Sequence, residues 1–448
     1  LPAGVTEIPA NLFQNCENLT EVVILGRITT IGNYAFQNTA LTSFTVGREV
    51  TAIGTYAFQG CDKLETVTFA PNGTEALVIA DYAFQDCTSL TSVDLPVRVR
   101  NGKDASGYAS NGIDNYAFEG CTNLTSVTFN VRGGETLTDY LTFGNYAFSN
   151  TGLTSFTMPN YCDFRTSGGT VIGANCFENC TALKTFTFNT DHGRSYYVGN
   201  YAFRNCTALE SINNIPRTFG FGNSNCGTGA FQNCTSLKEI TIPSGNWFTD
   251  DMFLGCTGLE TVTIYAYHYA PNITSGTFEG CTSLKTVNLP ANMTSIETGA
   301  FAGCTSLESF VIPLALEEIE PGAFEGCTSL TTFTVMAGSN IFSAVDGNLY
   351  SADGTTLMLY APGKTEATFT VPSTVTTIAD GAFANCTALT NVVLPASVTT
   401  VEAGAFDGWT AAQTITVSFA ADAVPAGFAS GWNAKASVAY AAPSPAVA

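Results

Sequence analysis

The chain has 448 residues, and Asp, Glu, Lys and Arg make up only 12% of them, about half the usual share in a soluble domain. With 37 acidic residues against 16 basic ones the net charge is −21, which excludes a partner held by general attraction to phosphate, whether nucleic acid or an anionic membrane surface. No apolar run reaches the roughly 18 residues of a membrane-spanning helix, so direct membrane insertion is not expected.

The sequence opens inside a repeat, with LPAGVTEIPANLF, and shows no basic start followed by an apolar run and a small-residue cleavage site. An export signal is expected to stand upstream. The repeating unit is plainest at Gly54 to Phe69, GTYAFQGCDKLETVTF. It returns as NYAFEGCTNLTSVTF and GAFANCTALTNVVLP. Its anchor is the Phe of the AF pair or its degenerate form: Phe13, Phe36, Phe58, Phe84, Phe118, Phe148, Phe177, Phe203, Phe231, Phe253, Phe278, Phe301, Phe324, Phe383, Phe406 and Phe428. The shortest spacing, 22 residues, occurs three times, for example from Phe36 to Phe58, and longer spacings carry added residues. A fixed minimum of backbone per repeat, each repeat too small to bury its own apolar side, predicts one stacked solenoid of about sixteen coils over residues 1–440 rather than three globular domains.

Within a coil, Leu at anchor plus six introduces an alternating stretch such as Val67, Thr68, Phe69. The alternation predicts a strand with Val67 and Phe69 inward and Thr66 and Thr68 outward, so equal phases must stack these strands into one long parallel sheet. Pro often follows, as at Pro96, Pro243 and Pro395, where it ends the strand without removing a needed donor. The other half of the unit, as in VTAIGTYAFQG, predicts a tight returning arm that is irregular or holds a half-turn of helix at AFxxC. The fold class expected is therefore a β-rich solenoid with a long parallel sheet and short helical or irregular arms.

Twelve of the 15 Cys stand three residues after an anchor, from Cys16 and Cys61 to Cys327 and Cys386. One Cys per coil at one phase predicts a row about 5 Å apart along the stack. Thr39 and Thr151 take the same place with no compensating change, as suits a ladder of small buried thiols better than a set of bridges. Cys162, Cys176 and Cys226 lie off this phase, and a pair among them is the candidate for oxidation. With only His192 and His268 and no clustered ligands, neither a metal nor a cofactor is expected.

Inserted residues gather between residues 97 and 272, in segments such as VRVRNGKDASGYASNG, NYCDFRTSGG, NTDHGRSYY and YAYHYAPN. They share one phase and are expected to line one edge. After Phe324 the spacing jumps to 59 residues, and Leu349 and Tyr350 face Leu357, Met358 and Leu359 across SADGTT, which predicts a hairpin in a modified coil over residues 340–372. After Phe406 the Cys becomes Trp409 and the motif decays, as in a capping coil closed by Phe419 and Trp432. Residues 441–448 read as a linker-like tail.

The unit [VI]TxIGxxAFxxCxxLxxVxLP, carried by Ile53, Gly54, Ala57, Phe58, Cys61, Leu64 and Val67 and again by Val375, Ile378, Ala382, Phe383, Cys386, Leu389, Val392, Leu394 and Pro395, resembles the leucine-rich repeat of the BspA-like family, the Treponema pallidum type. The resemblance covers nearly the whole chain. The segment from Phe342 to Gly363 is similar to a module that interrupts such arrays in surface proteins of gut bacteria. What the resemblance implies is a secreted or cell-surface protein, in some members an adhesin for host matrix proteins or other cells.

Residues for chemistry are scarce: the two imidazoles have no fixed carboxylate partner, and the outward Ser of the strands lie on no GxSxG turn. No catalytic residues are assigned, and the chain is read as not an enzyme. The strand face offers hydroxyls without aromatic anchors. The loop edge offers Arg98, Arg100, Tyr108, Tyr161, Arg165, His192, Arg194, Tyr196, Tyr197, Tyr265, Tyr267, His268 and Tyr269, and Tyr and Arg are the residues enriched where partners dock. The expected function is recognition, by a monomeric rod, of a host or microbial extracellular protein or a surface glycan. A structural spacer that holds other domains away from the cell wall is the alternative.

Overall fold

A computed structural model describes residues 1–70, 75–96, 98–99, 102–103, 109–110, 112–130, 141–159, 172–188, 198–215, 227–243, 248–266 and 272–441. The chain forms two compact units, Leu1–Cys256 and Thr257–Ala448.

In the first unit, Ser43–Val46, Thr66–Phe69, Ser92–Pro96 and Ser126–Asn130 form a parallel sheet in which equal repeat positions face each other, Val67 beside Phe44 and Val93, and Val93 beside Val127. Their side chains alternate: Val67 and Phe69 are buried, while Thr66 and Thr68 are exposed. Ser155–Thr157, Thr185–Thr187 and Ser211–Asn213 form a second parallel group of the same kind. The returning arm is more regular than its sequence suggests. Glu7–Ile8, Thr30–Ile31, Ala52–Ile53, Val78–Ile79, Gly112–Ile113 and Thr142–Phe143 make a parallel sheet of two-residue strands opposite the long one, extended by single bridges from Phe143 to Ile172 and from Ile172 to Val198. Two residues carry no readable alternation, so sequence periodicity does not mark them as strands.

Between the sheets lies the AFxxC segment, and it is not helical. Ala57 and Gln59 donate within the coil, to the carbonyls of Gly54 and Tyr56, while the intervening Tyr56, Phe58 and Gly60 donate to Asp81, Ala83 and Gln85 of the next coil. Successive N–H groups thus serve the coil and the stack in alternation, which leaves no orphan donor along this segment. In the regular coils the turn uses two left-handed residues, one before Ala and one two after Phe, as at Tyr56 (φ 58°) and Gly60 (φ 68°). Around this frame the anchors form a column from the half-buried Phe13 through buried rings to Phe253, with centroids 5.0–5.5 Å apart.

In the second unit, Thr261–Ile264 pairs with Thr286–Asn288 and Ser309–Ile312 with Thr332–Val335, all parallel. The expected hairpin is present as Asn348–Ser351 and Thr356–Leu359, but a third strand, Phe342–Val345, pairs antiparallel with the first of them across a turn whose central Asp346 and Gly347 both have positive φ. The last strand of this meander joins Thr377–Ile378 in parallel. That junction returns the chain to the repeat. Tyr360 then holds the anchor place of the modified coil: its N–H donates to the Ala382 carbonyl, as Phe36 donates to Ala57, although its ring is tilted 34° from Phe383. At the far end Trp432 is buried, with Phe428 edge-on to it at 5.0 Å and Phe419 edge-on to Phe428 at 5.4 Å. Residues 442–448 lie outside the described residues.

Candidate functional site

The thiol column is core. Among the in-phase Cys only Cys16, in the first coil, is exposed, and the other eleven are buried. Cys61, Cys87, Cys121 and Cys180 each donate to the carbonyl of the anchor Phe one coil back, at 3.0–3.2 Å. Where Trp409 replaces the Cys, its indole N–H donates to the Phe383 carbonyl at 2.9 Å. Burial pushes the Cys256, Cys327 and Cys386 thiols up to about 12. They are neutral packing groups with weak donors and no reactivity to offer. Cys176 also is buried and free, in the place of the Ala before Phe177, while Cys162 and Cys226 lie outside the described residues.

Of the loop-edge residues singled out from sequence, the structure places two. Arg98 is 2% exposed, and its guanidinium donates to the carbonyls of Gly47, at 3.0 Å, and Val50. It ties the start of an insertion to the turn ahead of Ala52–Ile53, with its own carbonyl accepting from Leu77 N–H at 2.7 Å. Arg98 is therefore a structural pin and no docking residue, a correction to the reading from sequence, where an Arg beside a Pro and a long polar insertion looks solvent-bound. Tyr265, directly after Thr261–Ile264, is 58% exposed. Arg100, Tyr108, Tyr161, Arg165, His192, Arg194, Tyr196, Tyr197, Tyr267, His268 and Tyr269 lie outside the described residues.

The strand face is polar as expected: Thr45, Thr68, Asp94 and Thr128 follow one another across the long sheet, and Thr128 donates to Asp94 at 2.7 Å. Among the described residues no group of three or more His, Cys, Asp and Glu is placed to hold a metal ion.

A surface feature that the sequence reading passed over lies at the turns of the first unit. Tyr34, Tyr56, Tyr82, Tyr116 and Tyr146, each just before the Ala-Phe pair, stack face to face with centroids 4.5–4.9 Å apart and planes within 13°. All are half-buried. Beside them runs an amide row: Gln14 donates to Gln37, Gln37 to Gln59, Gln59 to Gln85 and Gln85 to Glu119. On the other side Asn33, Asp81, Asn115 and Asn145 each accept from a backbone N–H of the next coil. Burial, the stacked neighbours and the carboxylates Asp81 and Glu119 push the Tyr82 and Tyr116 hydroxyls up. The tyrosine row stops at Asn175. At the next coil the guanidinium of Arg204 lies 4.6 Å over Tyr201, paired with the buried carboxylate of Glu178.

The tyrosines are costly in place. Each has φ between 57° and 59°, which costs a side-chain-bearing residue roughly 1–2 kcal/mol, whereas a stacked pair returns about 0.5–1.5 kcal/mol. Four stacked pairs therefore return only part of the strain of five left-handed residues. In the second unit the same position is Gly276, Gly299, Gly322 and Gly381, all with positive φ and no strain. The signal was present in the sequence, as Tyr before AF in the early coils and Gly in the late ones.

The parallel strands, the one-coil register of every column and the Leu, Phe and Cys layers define a leucine-rich repeat solenoid. The profile of the BspA type leucine rich repeat region matches residues 1–112, 108–218, 141–269, 248–346 and 364–426, and the chain belongs to that family. Similar solved structures include a leucine-rich repeat protein from Bacteroides ovatus (21% identity, 93% of this chain and 76% of that one, TM-score 0.43), a leucine rich cell surface protein from Faecalibacterium prausnitzii (22%, 84% and 85%, 0.35) and the leucine rich repeat protein of T. pallidum (19%, 59% and 83%, 0.23). No curated protein sequence matches this chain. No helix of the described residues is long and apolar enough to cross a membrane.

Proposed function

We propose that the protein is a non-catalytic, secreted or cell-surface adhesin that recognises a host or microbial extracellular protein or a surface glycan through the loop edge between residues 97 and 272. One observation carries this reading. Phe84 and Phe118 are 34 residues apart in sequence and their rings stack at 5.2 Å, while Phe36 and Phe58, only 22 apart, stack at 5.1 Å. The inserted residues add nothing to the spacing of the stack, yet ordering each one costs about 1–2 kcal/mol of backbone entropy. Inserted residues that the coil spacing does not need and that are rich in Tyr and Arg suit a docking role, and the exposed ring of Tyr265 is in keeping with it.

The test is a titration of wild type, a loop-edge variant and a strand-face variant against ligands from host matrix-protein and glycan arrays. The loop-edge variant replaces Arg194, Tyr196, Tyr197, Tyr265, Tyr267 and Tyr269 by Ser, and the strand-face variant replaces Thr128, Thr157, Thr187 and Thr241 by Val. Loss of affinity in the first with an unchanged melting temperature is the expected outcome. Loss confined to the second would move recognition to the sheet, and no ligand for wild type would favour a spacer.

A further inference from the structure

We propose that the tyrosine ladder of the first unit is a binding site for elongated, planar aromatic cations, which lie along it parallel to the direction of stacking. The site does not depend on the loop edge, because its rungs belong to the uninterrupted turn of each coil.

Shape is the first argument. Five rings at 4.5–4.9 Å intervals form a continuous edge of about 19 Å, four steps of the cross-strand spacing. Each ring is held by its neighbours and by the coil-to-coil hydrogen bonds of its own backbone, so a ligand spanning several rungs immobilises little on the protein side. The rings cover one another's faces. A sugar, which packs on an open ring face, finds none along the row, whereas a long flat molecule lies against several edges and hydroxyls at once.

Charge fixes the sign of the ligand. The charged side chains in the two rows flanking the five rings are Asp81, among Asn33, Thr55, Asn115 and Asn145, and Glu119, in the Gln row; Asp86 stands one place beyond Gln85, and none of these rows holds a Lys or Arg level with the five rings. At Tyr201, outside the ladder, the chain sets its own planar cation, the Arg204 guanidinium, over a ring and on the Glu178 carboxylate; along the ladder, where the faces are covered, the attraction for a cation rests on the carboxylates. A cross-β surface with registered aromatic and amide ladders is here displayed on one side of a single folded unit.

The probe is thioflavin T, an elongated benzothiazolium cation whose fluorescence rises when its two ring systems are held coplanar. The full chain is used, with light scattering to establish that no fibrils are present. Wild type is expected to give a saturable rise in fluorescence. The triple variant Tyr56→Gly, Tyr82→Gly, Tyr116→Gly, which places at three rungs the residue that the second unit uses there, is expected to bind at least about tenfold more weakly with an unchanged far-ultraviolet spectrum. The single variant Tyr82→Gly breaks the ladder in its middle and is read in the same way should the triple variant fold poorly. Asp81→Asn, Asp86→Asn and Glu119→Gln together are expected to weaken binding and flatten its salt dependence, and the dianionic dye Congo red is expected not to compete. Undiminished affinity in the tyrosine variants, equal binding of Congo red, or no saturable signal with wild type would overturn the proposal. The loop-edge variant should bind the dye as wild type does, so failure here leaves the loop-edge reading standing.

Discussion

Two left-handed residues in each regular coil, from the anchor Phe13 to Phe324 and again at Phe383, set what each side chain may be. Gly60 has φ 68°, and a Cβ built on it would lie 2.3 Å from Asn38 Oδ1, an oxygen whose amide partner donates to Asn15. Gly60→Ala therefore adds strain and displaces a hydrogen-bonded side chain, and should destabilise by roughly 2 kcal/mol. Tyr56→Gly at the other left-handed place exchanges stacking for relief of strain. Its stability should stay within about 1 kcal/mol of wild type, and urea denaturation of the two variants side by side separates the cases. The thiols give a prediction in pH. Burial raises Cys256, Cys327 and Cys386 from 9.0 to about 12, so above pH 9 the unfolded chain releases protons that the fold retains. Their contribution to stability is complete below pH 9 and is lost as pH climbs toward 12. The urea midpoint should fall over that window, and a midpoint independent of pH there would contradict a buried ladder. Iodoacetamide at pH 8 should label Cys16 in the native protein and leave Cys256 unmodified.

At the scale of the element, what the sequence displayed depended on length. Strands of four residues, such as Thr66–Phe69 and Glu239–Ile242, alternate long enough to be read and fall where their pattern put them. The two-residue strands of the opposite sheet do not, and neither does Phe342–Val345, whose partner is named only by the Asp346-Gly347 turn. Tyr360 escaped because it is not a Phe and lacks both the Ala and the Cys that frame most anchors, although it makes the anchor's backbone bond to Ala382. Arg98 misled because its neighbours are those of an exposed loop, and only the fold brings the Gly47 and Val50 carbonyls to it. By contrast, Trp409 was legible as a departure from the Cys column, and its reason is the Phe383 carbonyl, which its indole serves as a thiol would. Trp409→Phe keeps an aromatic ring but removes the donor and part of the buried volume. It should cost about 2–4 kcal/mol, measured as a shift in urea midpoint, and Trp409→His should recover part of that only if the imidazole N–H reaches the same oxygen.

For the molecule as a whole, the columns make stability a matter of neighbours. Phe301 in the second unit is fully buried, stacked at 5.4 Å on Phe278 and Phe324 and edge-on to Phe310 at 5.1 Å. Its replacement by Ala should cost about 3–5 kcal/mol. In a globular domain with one shared core such a loss is felt throughout. In a stack where each coil contacts the next, the energy is nearly a sum of coil and interface terms, and the opening free energy should drop most in the coils bearing Phe278, Phe301 and Phe324 and recover toward Phe406 and Trp432, which have a closed layer of their own around Trp409. Amide hydrogen exchange of wild type and Phe301→Ala would show it: protection lost at Phe301, where N–H donates to Ala323, and at Ser309–Ile312, but kept within about tenfold at Asn391–Leu394. Uniform loss of protection across the second unit would mean that its modified coil, with the three-stranded meander, couples the two halves as one cooperative body.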